Sequence, residues 1–218
     1  MASTQRTASA PVTRARTPRV DKRRLILDAA APIFGEEGYE RASIDAIASA
    51  AGVSKPTIYS YFGGKEQLFR ESVADSAIQQ NAQAFDAIGR LDLSPARWRA
   101  SLHELGMKLV ECQRSQCSVF LQRMIAAESA RDPEVYRTVR SKAADPILEA
   151  LAGRLAMLGN AGLLRISDPA LAARQFLALI GAEIPELTEQ GTKKVADRVI
   201  RRAVEAGVDT FLRANAAA

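Results

Sequence analysis

The stretch ASIDAIASAAGVSKPTIYSYFGGKEQLF, from Ala42 to Phe69, constrains this chain more than any other. It holds two short apolar-patterned segments separated by a glycine. Ser43 is placed to cap the first segment, Asp45 favours the positive end of its dipole, and Gly52 supplies the left-handed residue that ends it near Ala51. The chain restarts at once, because Ser54 can cap and Lys55 and Pro56 fill a first turn where a missing N–H does no harm. Two short helices joined by a tight glycine turn make a helix-turn-helix. In the second, Ile58 and Phe62 share a face that would pack, with Val53, against Ile44, Ile47 and Ala48.

The opposite arc presents Pro56, Thr57, Tyr59 and Ser60, which bury nothing well. Such a face suits a nucleic-acid groove. Hydroxyls can meet phosphates or base edges, Lys55 can reach a guanine, and the Pro56 ring can touch a thymine methyl. Gly63 and Gly64 then turn the chain, and Lys65 opens the next helix, where a cation beside free backbone N–H groups makes a phosphate clamp. The plainer alternatives are tyrosines packed between helices and a lysine that is simply solvated. Asp45 is expected to stay off the DNA, since a carboxylate facing a phosphate is repelled.

The rest of the chain is patterned as helix. Leu25, Ile26, Ala29, Ala30, Ile33 and Phe34 form a stripe on a helix running from near Asp21 to Gly38, with Pro32 predicting a local kink. A long helix is expected from Lys65 toward Gly89, another opened by Pro95, and a further one over Val119 to Ala127. Asp132-Pro133 and Asp168-Pro169 read as helix starts, whereas Asp145-Pro146 reads as a kink or division. The fold class expected is therefore all-α.

Net charge is +5, and its distribution is uneven: up to Arg24 the basic residues Arg6, Arg14, Arg16, Arg19, Lys22, Arg23 and Arg24 face Asp21 alone. Residues 1–20 are also nearly free of large apolar side chains, so a disordered basic N-terminal arm is expected there. Residues 21–68 are then the helix-turn-helix unit and residues 69–218 a helical body, with the boundary inside the long fourth helix. Apolar runs such as Phe176 to Ala182 are too short to span a bilayer, which needs about 20 residues. A cytoplasmic, nucleoid-associated location is expected. Cys112, Cys117 and the single His103 offer neither a disulfide framework nor a metal cluster, so no metal or cofactor is expected. With no glycine-rich phosphate loop after a strand, an enzyme is not expected either.

RRLILDAAAPIFGEEGYERASIDAIASAAGVSKPTIYSYFGGKEQLF, residues 23 to 69, resembles the DNA-binding domain of the TetR family of bacterial transcription regulators. The resemblance implies a three-helix domain docked as a dimer into successive major grooves of double-stranded DNA. Its contacts carry over to Ser43, Lys55, Pro56, Thr57, Tyr59, Ser60, Tyr61 and Lys65. Tyr59, Tyr61 and Lys65 would hold phosphates, and Lys55, Pro56 and Ser60 would read bases. Pro32 departs from the larger residue common at that position.

FLQRMIAAESARDPEVY and GLLRISDPALAARQFLALIG resemble the ligand-binding domains of AcrR and AefR-like members of that family. This implies an effector pocket and a dimer interface made by the last two long helices. Apolar side chains point nearly all round between Pro169 and Ile184, and a stripe runs from Val195 to Phe211, as helices with two neighbours require. Phe176, Ile180, Ile184, Val199, Ala203, Val208 and Phe211 are the expected homodimer contacts. Trp98, His103, Met107, Cys112, Cys117, Phe120, Met124 and Phe176 could line a cavity for a small apolar or amphipathic effector, though each such residue is more often plain core. The resulting expectation is a ligand-responsive repressor on a near-palindromic operator. The alternative is an architectural DNA-binding protein of the same fold without an effector.

Overall fold

The computed structural model describes residues 21–217, with the side chains of Gln116, Cys117, Val119, Phe120 and Arg123 outside that description. The expected basic arm thus lies outside the described residues, as do the side chains of the pocket candidates Cys117 and Phe120. Within them the chain is helical, with no strand beyond an isolated antiparallel bridge between Leu164 and Ala216.

Local sequence accounts for most helix starts. Helix α1, Lys22–Arg41, is capped by the Asp21 carboxylate, which accepts from the backbone N–H of Arg23 and Arg24. Pro32 causes no departure from helical torsions, contrary to the expected kink; flanking Ala30 and Phe34 are held in the core on either side of it. The break falls instead at Gly38, where φ is 76°. In α2, Ile44–Ala51, the Ser43 hydroxyl accepts from Asp45 and Ala46, and Gly52 closes the helix at φ 64°. Ser54 starts α3, Lys55–Phe62, but makes no side-chain cap; its hydroxyl meets Thr57 Oγ1 at 2.8 Å.

The long fourth helix divides into α4, Lys65–Gln80, and α5, Ala82–Gly89. Asn81 stands at the division, its side-chain amide donating to the Ala143 carbonyl at 2.7 Å. No periodicity foretells that bond, because its partner lies far along the chain. Pro95 sits in a turn ahead of α6, Trp98–Gln113, and α7 spans Gln116–Ser129. Asp132 caps α8, Pro133–Val139, and Asp168 caps α10, Pro169–Gly181. Between α8 and α9, Asp145–Asn160, lies a π-type turn over Arg140–Ala144, which widens the backbone just ahead of Pro146. A short α11, Ile184–Leu187, precedes α12, Asp197–Asn215.

Two apolar clusters form. One joins α1 to α4 and draws in Leu121, Val135 and Ala143. The other fills the space among α5, α6, α9, α10 and α12, where the Phe176 and Phe211 rings meet edge to face at 5.2 Å. This second cluster corrects the expected dimer contacts. Phe176, Ile180, Ile184, Ala203, Val208 and Phe211 are all buried inside their own chain, and Val199 is half-buried. The apolar stripes of α10 and α12 face each other and α6, a choice of neighbour that helical spacing cannot express. Among the residues that α10 and α12 turn outward are Leu171, Gln175 and Ala178, and Arg202, Ala206 and Thr210.

Candidate nucleic-acid interface

Helix α3 is anchored by Ile58 and Phe62, both buried, and this anchoring fixes what its other face offers. Lys55, Pro56, Tyr59, Ser60 and Tyr61 are exposed and Thr57 is half-buried. Tyr59 and Tyr61, large rings that a monomer would normally cover, are 45% and 49% exposed. Tyr61 thus joins the exposed arc of Pro56, Tyr59 and Ser60. The Ser43 oxygen is engaged as a cap, which leaves its hydroxyl proton available to an acceptor on the DNA.

The two cations differ from free surface lysines. Lys55 Nζ lies 3.0 Å from Asp45 Oδ2, and this hydrogen bond, with the carboxylate's charge, raises the lysine above its ordinary pKa. Lys65 leans back on the end of α1, donating to the Glu40 carbonyl at 3.0 Å with its ammonium 4.8 Å from the Tyr39 ring centre. The Arg131 guanidinium covers the same ring at 5.0 Å and pairs with the Glu40 carboxylate. Tyr39, Asp45 and Arg131 were absent from the sequence-based candidates. For Asp45 the signal was present in its helix position but was set aside on the repulsion argument.

Two hollows of the body bear on the pocket candidates. A hollow of about 210 Å³ is lined by apolar residues including Ala84, Leu109, Leu121, Ile125 and Leu177, with Gln80, Asn81, Gln113, Ser118 and Gln122 as polar members. A charged open groove of about 920 Å³ lies between α5, α6 and α12. His103 and Met107 line the groove, and Cys112 borders both hollows. Burial pushes the Cys112 thiol up, away from thiolate. Trp98 and Phe176 are core residues that line neither hollow, and Met124 packs against the α1–α4 cluster. The expected pocket list is corrected accordingly: helical spacing identifies buried positions without distinguishing filled space from empty. Among the described residues no helix is long and apolar enough to cross a membrane, and no group of three or more His, Cys, Asp or Glu is placed to hold a metal ion.

The model of the tetR family of bacterial regulatory proteins matches residues 26–72, and that of the AefR-like transcriptional repressor C-terminal domain matches residues 100–217, more than half of the chain. The chain belongs to the TetR family. It is a DNA-binding transcriptional regulator built on a helix-turn-helix followed by a helical C-terminal domain. The solved structure of a TetR-family regulator from Mesorhizobium loti MAFF303099 superposes with a TM-score of 0.80 at 29% identity, over 92% of this chain and 100% of that one. The flavonoid-responsive regulator FrrA superposes with a TM-score of 0.74 at 31% identity, over 89% and 97%. The HTH-type transcriptional regulator YhgD of Bacillus subtilis is 26% identical over 78% of this chain and 86% of its own. All eight DNA-contact candidates fall within the matched residues 26–72.

In this family member ion pairs tie the DNA-binding helices to the body. Glu71 of α4 receives Arg23 at 2.9 Å and Lys142 at 2.5 Å, and Arg24 reaches Asp75 at 2.8 Å. Arg70 meets Asp132 at 2.6 Å and holds that carboxyl below its usual range. A carboxyl depressed in the folded state contributes stability above its unfolded pKa, about 3.9, and loses it as pH falls through the folded value. Asp132→Asn, which retains a capping side chain, is expected to cost about 1 kcal/mol at pH 7. The difference from wild type should shrink as pH drops toward 3 in urea-melt series; a gap independent of pH would contradict the ion-pair origin.

Proposed function

We propose that the chain is a homodimeric repressor that binds a near-palindromic operator and is released by a small apolar or amphipathic effector. Residues 21–68 read DNA and residues 69–218 carry the effector site and the partner contacts, with the protein acting in the cytoplasm on the nucleoid. The observation that carries the DNA side is the exposed arc of α3: a helix with two bare tyrosines, a lysine, a proline and a serine outward, held by a buried opposite face. Two such helices one turn of DNA apart, ~10 base pairs, would address two half-sites. Tyr59, Tyr61 and Lys65 serve the phosphates; Ser43, Lys55, Pro56, Thr57 and Ser60 border or read the bases. The outward faces of α10 and α12 are the proposed dimer contacts in place of the buried residues.

The apolar-lined hollow of about 210 Å³ is the proposed effector site. Its largely apolar wall, with the amides of Gln80, Asn81, Gln113 and Gln122 at its polar positions, suits a planar aromatic compound, and FrrA, flavonoid-responsive by name, supports that class. Binding that favours a dimer with mismatched heads needs a coupling of only about 1–3 kcal/mol.

Selection of bound sequences from a random duplex library at about 150 mM salt tests the reading, since nonspecific phosphate binding is suppressed there. One near-palindromic site is expected. Lys65→Ala should weaken all variants of that site alike, whereas Lys55→Ala should alter preference at one position per half-site. Flavonoids should release the operator from wild type but not from Leu177→Trp, which fills the cavity. Recovery of only loosely preferred sequences would favour the architectural role instead.

A further inference from the structure

We infer that Asp45 and Lys55 act as one unit that reads a single G·C pair in each half-site, Lys55 donating to guanine and Asp45 accepting from the cytosine 4-amino group. This rests on the operator-binding reading above and assigns Asp45, otherwise expected to avoid DNA, a role in specificity.

The two side chains stand on the N-terminal turns of neighbouring helices α2 and α3, 3.0 Å apart, with the carboxylate 71% and the lysine 47% exposed. An ion pair so open to water stabilises the fold little. Its placement has a different consequence. A lone carboxylate on this face would be repelled by the DNA backbone. With an ammonium in contact, the pair is neutral to the backbone and offers a donor and an acceptor side by side. The major-groove edge of G·C presents two adjacent acceptors, N7 and O6, followed by the N4 amine. An ammonium gains most where two acceptors adjoin, and the carboxylate then falls beside the only donor. Adenine gives the ammonium one acceptor flanked by an amine, and thymine's O4 repels a carboxylate, so A·T fits the same pair poorly.

The test uses the site recovered with the full-length protein, and duplexes in which the cytosine of each conserved G·C pair is replaced in turn by 2-pyrimidinone, which lacks the 4-amino group. At one position per half-site, wild type is expected to bind the modified duplex roughly tenfold more weakly. Asp45→Ala should bind both duplexes equally and tolerate other base pairs there. Its melting temperature serves as the folding control, since the Ser43 cap remains. If Asp45→Ala instead binds every duplex more tightly with its G·C preference intact, Asp45 is only a tether for Lys55 and the inference fails. A defined site insensitive to the amino group at every position sinks this inference alone; no defined site at all sinks the operator reading with it.

Discussion

Gly207→Ala is expected to destabilise the chain by about 3 kcal/mol, lowering the melting temperature by roughly 6–12 °C. A Cβ at this position would stand 2.4 Å from the Leu179 carbonyl oxygen, 2.7 Å from its carbon and 2.9 Å from the Ile180 Cα. All three are backbone atoms, so no rotamer change relieves the overlap. Helices α10 and α12 must separate, and the space beneath Val208 and Phe211 then opens. Alanine would recover about 1 kcal/mol of helix propensity, which the clash exceeds. Gly153, exposed in the middle of α9 with nothing within 4 Å of its added Cβ, isolates that smaller effect. Gly153→Ala should stabilise by up to about 1 kcal/mol in the same urea melts. Equal gains at both positions would refute the close approach of α10 to α12.

Phe34→Ala should cost about 3–5 kcal/mol, and the loss should be concentrated in the DNA-binding helices. Phe34 is 1% exposed, and its ring meets Phe69 edge to face at 5.0 Å between α1 and α4. Phe69 in turn contacts Tyr39 at 5.2 Å, the ring beneath Lys65 and Arg131. Removing Phe34 therefore loosens both the floor under α3 and the ring that supports Lys65. Operator affinity should fall at least tenfold, the effect of about 1.4 kcal/mol. The sole tryptophan, Trp98, lies in the other cluster, so its buried-state emission should survive the substitution. Emission and DNA binding lost together would mean that the two clusters melt as one unit.

The helix-turn-helix was legible in the sequence because each of its instructions is local. Ser43 caps a helix by reaching two and three residues ahead, Gly52 adopts a left-handed torsion by itself, and Asp21, Asp132 and Asp168 cap within three residues. The exposed arc of α3 followed from Ile58 and Phe62 being the apolar pair. The candidate pocket was far less legible, since Trp98 and Phe176 are as apolar as cavity-lining Leu109 and Leu177. Only the way neighbouring helices meet distinguishes a filled space from an empty one.

By itself, then, the sequence determined the all-α class, the recognition helix and its outward residues, through hydrogen bonds and periodicities spanning a few positions. The tertiary structure alone decided that Asn81 divides the fourth helix, that Asp45 holds Lys55, and that α10 and α12 spend their apolar stripes inside the chain. Each of those outcomes depends on a partner brought near by folding, or on how three helices share one volume, and neither is written in the spacing along one helix.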